Sequence, residues 1–461
     1  MTTTAFSVLG LDAALLANLE SMGYQAMTPV QAQSLPGILQ GSDIIVQAET
    51  GSGKTAAFGI GVITRLNVRD FNVQSLVLCP TRELADQVSK EIRRLASVIP
   101  NIKLLTLCGG VPFGPQLGSL EHGAHIIVGT PGRILKHLRK NSLKLDKVKT
   151  LVLDEADRML DMGFYDDIAE IVAATPGNRQ TLLFSATYPE AIEQISESMQ
   201  KKPVRVSVEA THTQSNIEQK FYEVAGKDKR LAALVALLGH YNPASCVIFC
   251  NTKQKCQEVA DALQAKGFSA LALHGDLEQR DRDQVLVQFS NKSCSILVAT
   301  DVAARGLDIK DLEAVINFEL SPDPEVHIHR IGRTGRAGKS GLALSLYISA
   351  ESYRVNAIED YQKSPVRFSA IDDLEVNQKL DTRPPMVTLC IDGGRKGKVR
   401  PGDILGALTG ESGIDGNQVG KIDVFDRQAY VAIERSVVDK ALKGLSTGRI
   451  KGRYFKARKL Q

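Results

Sequence analysis

From about residue 40 onward, short apolar and β-branched runs alternate with longer amphipathic stretches, the pattern of a parallel sheet covered by helices. Strands are predicted at residues 43–47, 75–79, 125–128, 150–153 and 181–184. The alternation stops at the polar, aperiodic segment 208–216, where a linker is expected. It resumes with predicted strands at 244–249, 269–273, 295–298 and 314–318. The two halves echo each other. In the first, strands run into Cys79-Pro80-Thr81 and, 49 residues on, into Gly129-Thr130; in the second, into Cys250-Asn251-Thr252 and, 48 residues on, into Ala299-Thr300. This predicts two copies of one open α/β domain, with functional loops at the carboxyl ends of the strands in both.

A second break comes at Arg383-Pro384-Pro385, within a linker expected over 377–385. Beyond it the pattern predicts strand 387–391, helix 401–409, strands 421–425 and 430–433, helix 434–445 and strand 452–458. That βαββαβ order is the ferredoxin-like layout of RNA-recognition modules. The expected domains are therefore 1–207, 217–376 and 386–461.

Composition agrees with this division. With 461 residues, 43% hydrophobic and 23% charged, the chain can bury about three cores. No apolar run approaches the roughly 18 residues needed to cross a bilayer, and no signal peptide is visible at the N-terminus. A cytosolic protein is expected, with no membrane partner. Seven scattered cysteines, mostly in apolar runs, suit reduced core thiols better than disulfides or zinc. The net charge of +4 hides an asymmetry, because residues 385–461 carry 15 Lys and Arg against 8 Asp and Glu. A basic appendage on a near-neutral body points to a polyanionic partner.

Three segments carry the chemistry. Gly51, Ser52 and Gly53 can curl backbone amides around phosphate at a helix start. Lys54 can reach the β and γ phosphates, and Thr55 can offer a hydroxyl to Mg²⁺. Asp154 and Glu155, at the end of a buried strand run, can hold Mg²⁺ and orient and deprotonate a water. Arg333 and Arg336, expected on a helix start, suit the spread charge of a transferring phosphoryl group. They lie in the other domain from Lys54, so hydrolysis is expected to require closure of two lobes.

Residues 6 to 350 resemble the DEAD-box RNA helicases, through Asp154-Glu155-Ala156-Asp157, Ser185-Ala186-Thr187, Pro80-Thr81-Arg82-Glu83-Leu84-Ala85, Gly109-Gly110, Thr130-Pro131-Gly132-Arg133, Ala299-Thr300-Asp301 and the segment 329–336. The resemblance implies two tandem RecA-like domains and an RNA-stimulated ATPase using ATP and Mg²⁺. It implies that Phe6, Tyr24 and Gln31 form an adenine pocket, that Thr50 belongs to the phosphate loop, and that Asp308 contacts the nucleotide. Asp157, Ser185 and Thr187 would couple the ATP site to RNA. Thr81, Arg82, Gly110, Thr130, Gly132, Arg133, Thr252 and Thr300 would grip the RNA backbone, a role that strand-end hydroxyls and amides suit.

The tail is similar to the C-terminal domain of the bacterial DbpA group in Met386 to Gly394 and Arg400 to Gly410. That similarity implies a 23S ribosomal RNA hairpin in the peptidyl-transferase region as target, a precursor of the large subunit as partner, and a monomer acting in 50S ribosome assembly. Arg395, Lys396, Lys398, Arg400, Lys451 and Arg453 are the candidate contacts. Ile391, Val431 and Ile433 stand where stacking aromatics are usual, so loops and the basic edge are the expected binding surface. An ATP-gated RNA clamp with little unwinding fits the same motifs.

Overall fold

The computed structural model describes residues 4–48, 51–188, 190–208, 217–304, 312–335, 340–375, 383–410 and 412–460. In the first unit, strands β1 (Ile44–Gln47), β2 (Ser75–Leu78), β3 (Leu104–Leu107), β4 (Ile126–Gly129), β5 (Thr150–Asp154), β6 (Gln180–Ser185) and β7 (Val204–Ser207) form a parallel sheet. Their order is β3-β4-β2-β5-β6-β1-β7. The inner strands β2, β4, β5 and β6 are buried at every position, because helices cover both faces. Edge strand β7 buries only Val206.

The second unit repeats this plan with β8 (Ile217–Glu223), β9 (Cys246–Cys250), β10 (Ala270–Leu273), β11 (Ile296–Thr300), β12 (Ala314–Asn317), β13 (Gly341–Tyr347) and β14 (Arg367–Ser369). Its order is β10-β11-β9-β12-β13-β8-β14, the first order with seven added to each label. The duplication expected from the paired threonine loops is thus a duplication of topology. Strands β3, β7, β8, β13 and β14 lie outside the predicted set.

The tail belongs to the second unit and forms an antiparallel sheet, β16-β17-β15-β18, from β15 (Met386–Ile391), β16 (Val419–Val424), β17 (Ala429–Glu434) and β18 (Ala457–Lys459). Helices Pro401–Thr409 and Val438–Thr447 cover one face. Two tail expectations need correction. The second helix starts at Val438 after a short turn, Arg435–Val437. The last strand is confined to Ala457–Lys459, because Lys451 and Gly452, with φ of 51° and 77°, make a turn closed by mutual Ile450–Arg453 backbone bonds.

A third correction concerns which way the sheet faces. Ile391, Val431 and Ile433 pack with Leu389 on Ile404, Leu408, Ala441 and Leu445, beneath the helices. They are core residues and do not stand in for stacking aromatics. The alternate positions Cys390 and Tyr430 pack on Val287 of the helix Gln279–Ser290. All seven cysteines are buried, and burial raises the thiols of Cys79, Cys108 and Cys294 well above their ordinary range. Among the described residues, no helix is long and apolar enough to cross a membrane.

Candidate nucleotide site and RNA interface

The sheet order of the first unit sorts the functional loops into two groups. Neighbouring strands β1, β6 and β5 end in the glycine loop, Ser185 and Asp154, with Gln47 in register with Ser185 and Phe184 with Asp154. Strands β2, β4 and β3 end in Thr81, Thr130 and Gly109-Gly110, with Gly129 in register with both Leu78 and Leu107. Strands lie about 4.8 Å apart, so each group occupies adjacent strand ends.

In the first group, Gly51 and Gly53 hold φ of 89° and 94°, which suits only glycine at low cost. The helix Lys54–Thr64 follows, and the buried Lys54 ammonium donates to the Ala48 carbonyl at 2.6 Å. Thr28 and Gln31 cap the helix Pro29–Gln40 reciprocally. Both also reach the glycine loop: Thr28 Oγ1 donates to Ser52 O at 2.8 Å and Gln31 Nε2 to Gly53 O at 3.2 Å. Phe6 meets Tyr24 edge to face at 6.1 Å, and the Tyr24 hydroxyl donates to Glu91 at 2.7 Å. The Tyr24 phenol is raised above its ordinary range by burial and that bond. Thr50 lies outside the described residues.

Asp154 and Glu155 are both buried at the end of β5. Burial first, then the neighbouring Glu155 charge, push Asp154 up to about 7, against the opposing pull of Lys54. The unfolded chain loses this proton near pH 3.8 and the folded chain near 7, so this group's contribution to stability falls as pH rises through that window. Glu155 adopts a left-handed conformation, φ 54° and ψ 53°, a strained state that the surrounding fold must hold in place. It pairs with buried Arg158 at 3.2 Å without hydrogen-bond angles.

Asp157 links this group to the end of β6. Its Oδ2 accepts from Ala186 N at 3.1 Å, Thr187 N at 3.0 Å and Thr187 Oγ1 at 3.1 Å. Burial would raise Asp157, but the Thr187 amide, Lys54 and Arg158 hold it below the ordinary carboxylate range. Ser185 Oγ is buried and lacks a hydrogen-bond partner among the described residues.

In the second group, Thr81 Oγ1 caps the helix Arg82–Leu95 by accepting from Leu84 N at 3.2 Å. Arg82 donates to Gly109 O at 3.3 Å. Gly110, at φ 74°, lies so close to the Arg82 guanidinium that a Cβ there would overlap it. Gly110→Ala is therefore expected to displace Arg82 and weaken RNA affinity, by roughly 10- to 150-fold, the loss of one charge-assisted bond. Electrophoretic titration with single-stranded RNA checks this. Thr130 precedes the helix Pro131–Arg139 without capping it, and Gly132 beside it is exposed. Arg133 donates to Gln116 at 2.6 Å and Val111 O at 3.0 Å.

In the second unit, Thr252 caps the helix Lys253–Ala265, and Thr300 is buried at the end of β11. Arg333 is placed differently from the expectation. It follows the end of the helix Pro324–Ile331, whose C-cap is Gly332, so the arginine segment closes a helix and does not start one. Arg336 and Asp308 lie outside the described residues. In the tail, Arg395, Lys396, Lys398, Arg400, Lys451 and Arg453 are all exposed, and Lys451 Nζ donates to Lys398 O at 3.2 Å.

Comparison with known proteins assigns the family. A DEAD/DEAH box helicase model matches residues 28–195, a helicase conserved C-terminal domain model 226–338, and a DbpA RNA binding domain model 388–459. The ATP-dependent RNA helicase DbpA of Escherichia coli (strain K12) is 56% identical over 465 residues, covering 99% of this chain and 100% of that protein. The chain is a DEAD-box RNA helicase of the DbpA subfamily. As such it is an ATP-dependent enzyme, an RNA-stimulated ATPase, on two RecA-like domains and an RNA-binding tail. This DEAD-box helicase is also 46% identical over 357 residues to the DEAD-box ATP-dependent RNA helicase CshA of Geobacillus kaustophilus (strain HTA426), covering 77% of this chain and 76% of that one. The solved structure of S. cerevisiae Dbp5 bound to RNA and ADP BeF3 aligns with a TM-score of 0.72 at 31% identity, covering 80% of this chain and 96% of that one.

Two features of this DEAD-box helicase escape motif spacing. Arg330, 2% exposed, donates to Asp301 at 2.6 and 2.7 Å, Asn251 at 2.8 Å, Asn317 at 3.2 Å and Glu319 O at 2.7 Å. It ties the arginine segment to the ends of β9, β11 and β12. Its signal in the sequence is the i, i+3 spacing from His327, another buried polar residue on the same helix. The second feature is Phe113, which stacks on His137 at 4.2 Å with Arg133, Lys136 and Lys140 at 5.9, 5.6 and 5.1 Å. Burial, then Arg133 and Lys136, lower His137 to about 4, so it is neutral at pH 7. Phe113 and its cations enlarge the basic surface beside Arg133.

The donor set fits Mg²⁺. Mg²⁺ is held by one or two carboxylates, a hydroxyl and substrate phosphates, and keeps several waters. Asp154 is a buried acid whose charge burial and Glu155 disfavour more than Lys54 offsets, and Thr55 would supply the hydroxyl. Loading the site with Mg²⁺ and nucleotide is therefore expected to release a proton from Asp154 below about pH 7. Calorimetric titration in two buffers of different ionisation heat checks this; buffer-independent heats at pH 6.5 would contradict it.

Proposed function

We propose that this enzyme hydrolyses Mg²⁺-bound ATP on RNA binding and locally unwinds 23S ribosomal RNA, at a hairpin in the peptidyl-transferase region, during 50S ribosome assembly. The observation that carries the ribosomal part is the basic tail, matched by the DbpA RNA binding domain over residues 388–459. Lys54 and the glycine loop hold the phosphates, Gln31, Tyr24 and Phe6 the base, and Asp154 and Thr55 the metal. Glu155 orients and deprotonates the attacking water, and Arg333 and Arg336 stabilise the transferring phosphoryl group. Bound Mg²⁺ neutralises charge on the phosphate oxygens.

Thr81, Arg82, Gly110, Thr130, Gly132 and Arg133 in one lobe and Thr252 and Thr300 in the other hold the RNA backbone, without reading sequence. Asp157, bonded to Ala186 and Thr187, passes occupancy of the ATP site to that surface. Thr187→Ala is expected to lower the coupling between ATP and RNA affinities by roughly 5- to 150-fold. RNA titrations with and without a non-hydrolysable ATP analogue check this; an unchanged ratio of affinities would contradict it.

The function is tested by the release of a short strand annealed beside a 23S-derived hairpin or an unrelated one. Faster release beside the 23S hairpin, with ATP only, is the expected result. Equal rates beside both hairpins would contradict the ribosomal address. Equal release with ATP and a non-hydrolysable analogue would favour the clamp reading.

A further inference from the structure

The two central strands of the tail sheet offer no open face for RNA. Thr388, Cys390 and Tyr430 are 0%, 0% and 2% exposed on the side away from the tail's own helices. Val287 packs on Cys390 and Tyr430, and Thr388 bonds Asn291 at 3.3 Å and Ser293 at 2.5 Å, all on the second helicase lobe. RNA-recognition sheets stack bases on that face through aromatic side chains. In this chain the centre of that face is spent on an intramolecular contact, so base stacking requires an aromatic elsewhere.

Such an aromatic stands on the tail's basic edge. Tyr454 is 63% exposed, with the Arg449 guanidinium 5.1 Å from its ring centroid. Phe425, the other large exposed aromatic among the described tail residues, leans edge-on against Tyr430 at 5.4 Å. Tyr454 directly follows the turn at Lys451 and Gly452, whose two positive φ values and paired Ile450–Arg453 backbone bonds are those of a tight hairpin. Its neighbour Phe455 lies against Gly393 and Gly397, where a Cβ on Gly393 would come within 2.5 Å of the ring. That packing and the Lys451–Lys398 bond bring the two basic segments of the sequence to one place. Among the described residues, the acids paired on this edge are Asp403, 4.0 Å from Lys451, Asp426, 3.8 Å from Lys396, and Asp392, 3.1 Å from Arg458, fewer than the surrounding cations.

We propose that Tyr454 is a stacking platform for one unpaired base of an RNA loop, with Arg395, Lys396, Lys398, Arg449, Lys451 and Arg453 holding the phosphates on either side. This rests on the reading of the tail as an RNA-binding domain. An exposed aromatic on a fixed turn, ringed by cations, is the combination by which proteins hold single-stranded nucleic acid. Double-stranded RNA offers no free base to such a ring, so the edge discriminates loops from duplex.

The test uses the full chain. Because the sequence contains no Trp, Tyr454→Trp places a single, selectively excited tryptophan at the platform. Its emission is expected to be quenched by a hairpin RNA with an unpaired loop and little changed by a blunt duplex of the same length. Tyr454→Ala is expected to weaken hairpin binding by roughly 5- to 150-fold, the effect of removing one stacking aromatic, while Tyr454→Phe stays within about twofold. Duplex affinity is expected to stay constant in all three variants. Hairpin binding by Tyr454→Trp without quenching, unchanged hairpin affinity in Tyr454→Ala, or equal losses for hairpin and duplex would each overturn the proposal. A wild-type chain that binds the hairpin no better than the duplex would overturn the underlying reading of the tail as well.

Discussion

Glu155→Gln is expected to lower RNA-stimulated ATP turnover by roughly 10²- to 10⁴-fold, the usual contribution of a positioned general base. Glutamine keeps the shape of the side chain but cannot take a proton from water. Glu155 is held at strain, in a left-handed conformation between Asp154 and the helix Ala156–Asp161. Its ion pair with Arg158, at 3.2 Å, does not have hydrogen-bond angles, which leaves carboxylate lone pairs available to a water. Nucleotide affinity is expected to remain close to wild type, because the phosphate contacts proposed are those of Lys54 and the loop amides. Steady-state phosphate release together with equilibrium nucleotide binding checks both halves. Turnover within tenfold of wild type would remove Glu155 from the reaction.

The second large effect concerns stability. Arg330→Ala is expected to destabilise the second helicase lobe by about 3–5 kcal/mol, the cost of breaking a buried ion pair by removing one partner. Asp301, Asn251, Asn317 and the Glu319 carbonyl would all lose a donor at once. The Phe249 ring, 5.1 Å from the guanidinium, would lose its cation. Arg330→Lys should recover little, since an ammonium cannot span the fork that Asp301 accepts from both Nε and Nη2. Urea unfolding of the full chain measures this, and a loss below about 1 kcal/mol would place Arg330 outside the structural frame.

What was legible in the sequence followed how each residue is buried. Strands such as β2 and β5 are buried on both faces, so they read as continuous apolar runs, Ser75-Leu76-Val77-Leu78 and Thr150-Leu151-Val152-Leu153. The loops after them carry the candidate functional residues, as expected where open α/β sheets place function at the carboxyl ends of strands. Edge strands β7 and β14 mix Arg205 and Arg367 with apolar residues and carry no such run. Arg330 shares a motif with Arg333, yet the bonds that hold it come from Asp301 and Asn251, distant in sequence.

The tail shows a different limit. Alternation along β15 and β17 assigns residues to two faces but does not say which face is covered by the tail's own helices. Ile391 and Val431 turn inward, and Cys390 and Tyr430 meet Val287, a residue from another domain. The αL turn at Lys451 likewise left no mark, because lysine rarely takes positive φ.

The most direct test of the account is steady-state ATPase stimulation by 23S ribosomal RNA against homopolymer RNA, at matched nucleotide and salt concentrations, since electrostatic binding alone varies with salt. The account predicts half-maximal stimulation at a much lower concentration of 23S ribosomal RNA. Equal half-stimulation by the two RNAs would contradict it.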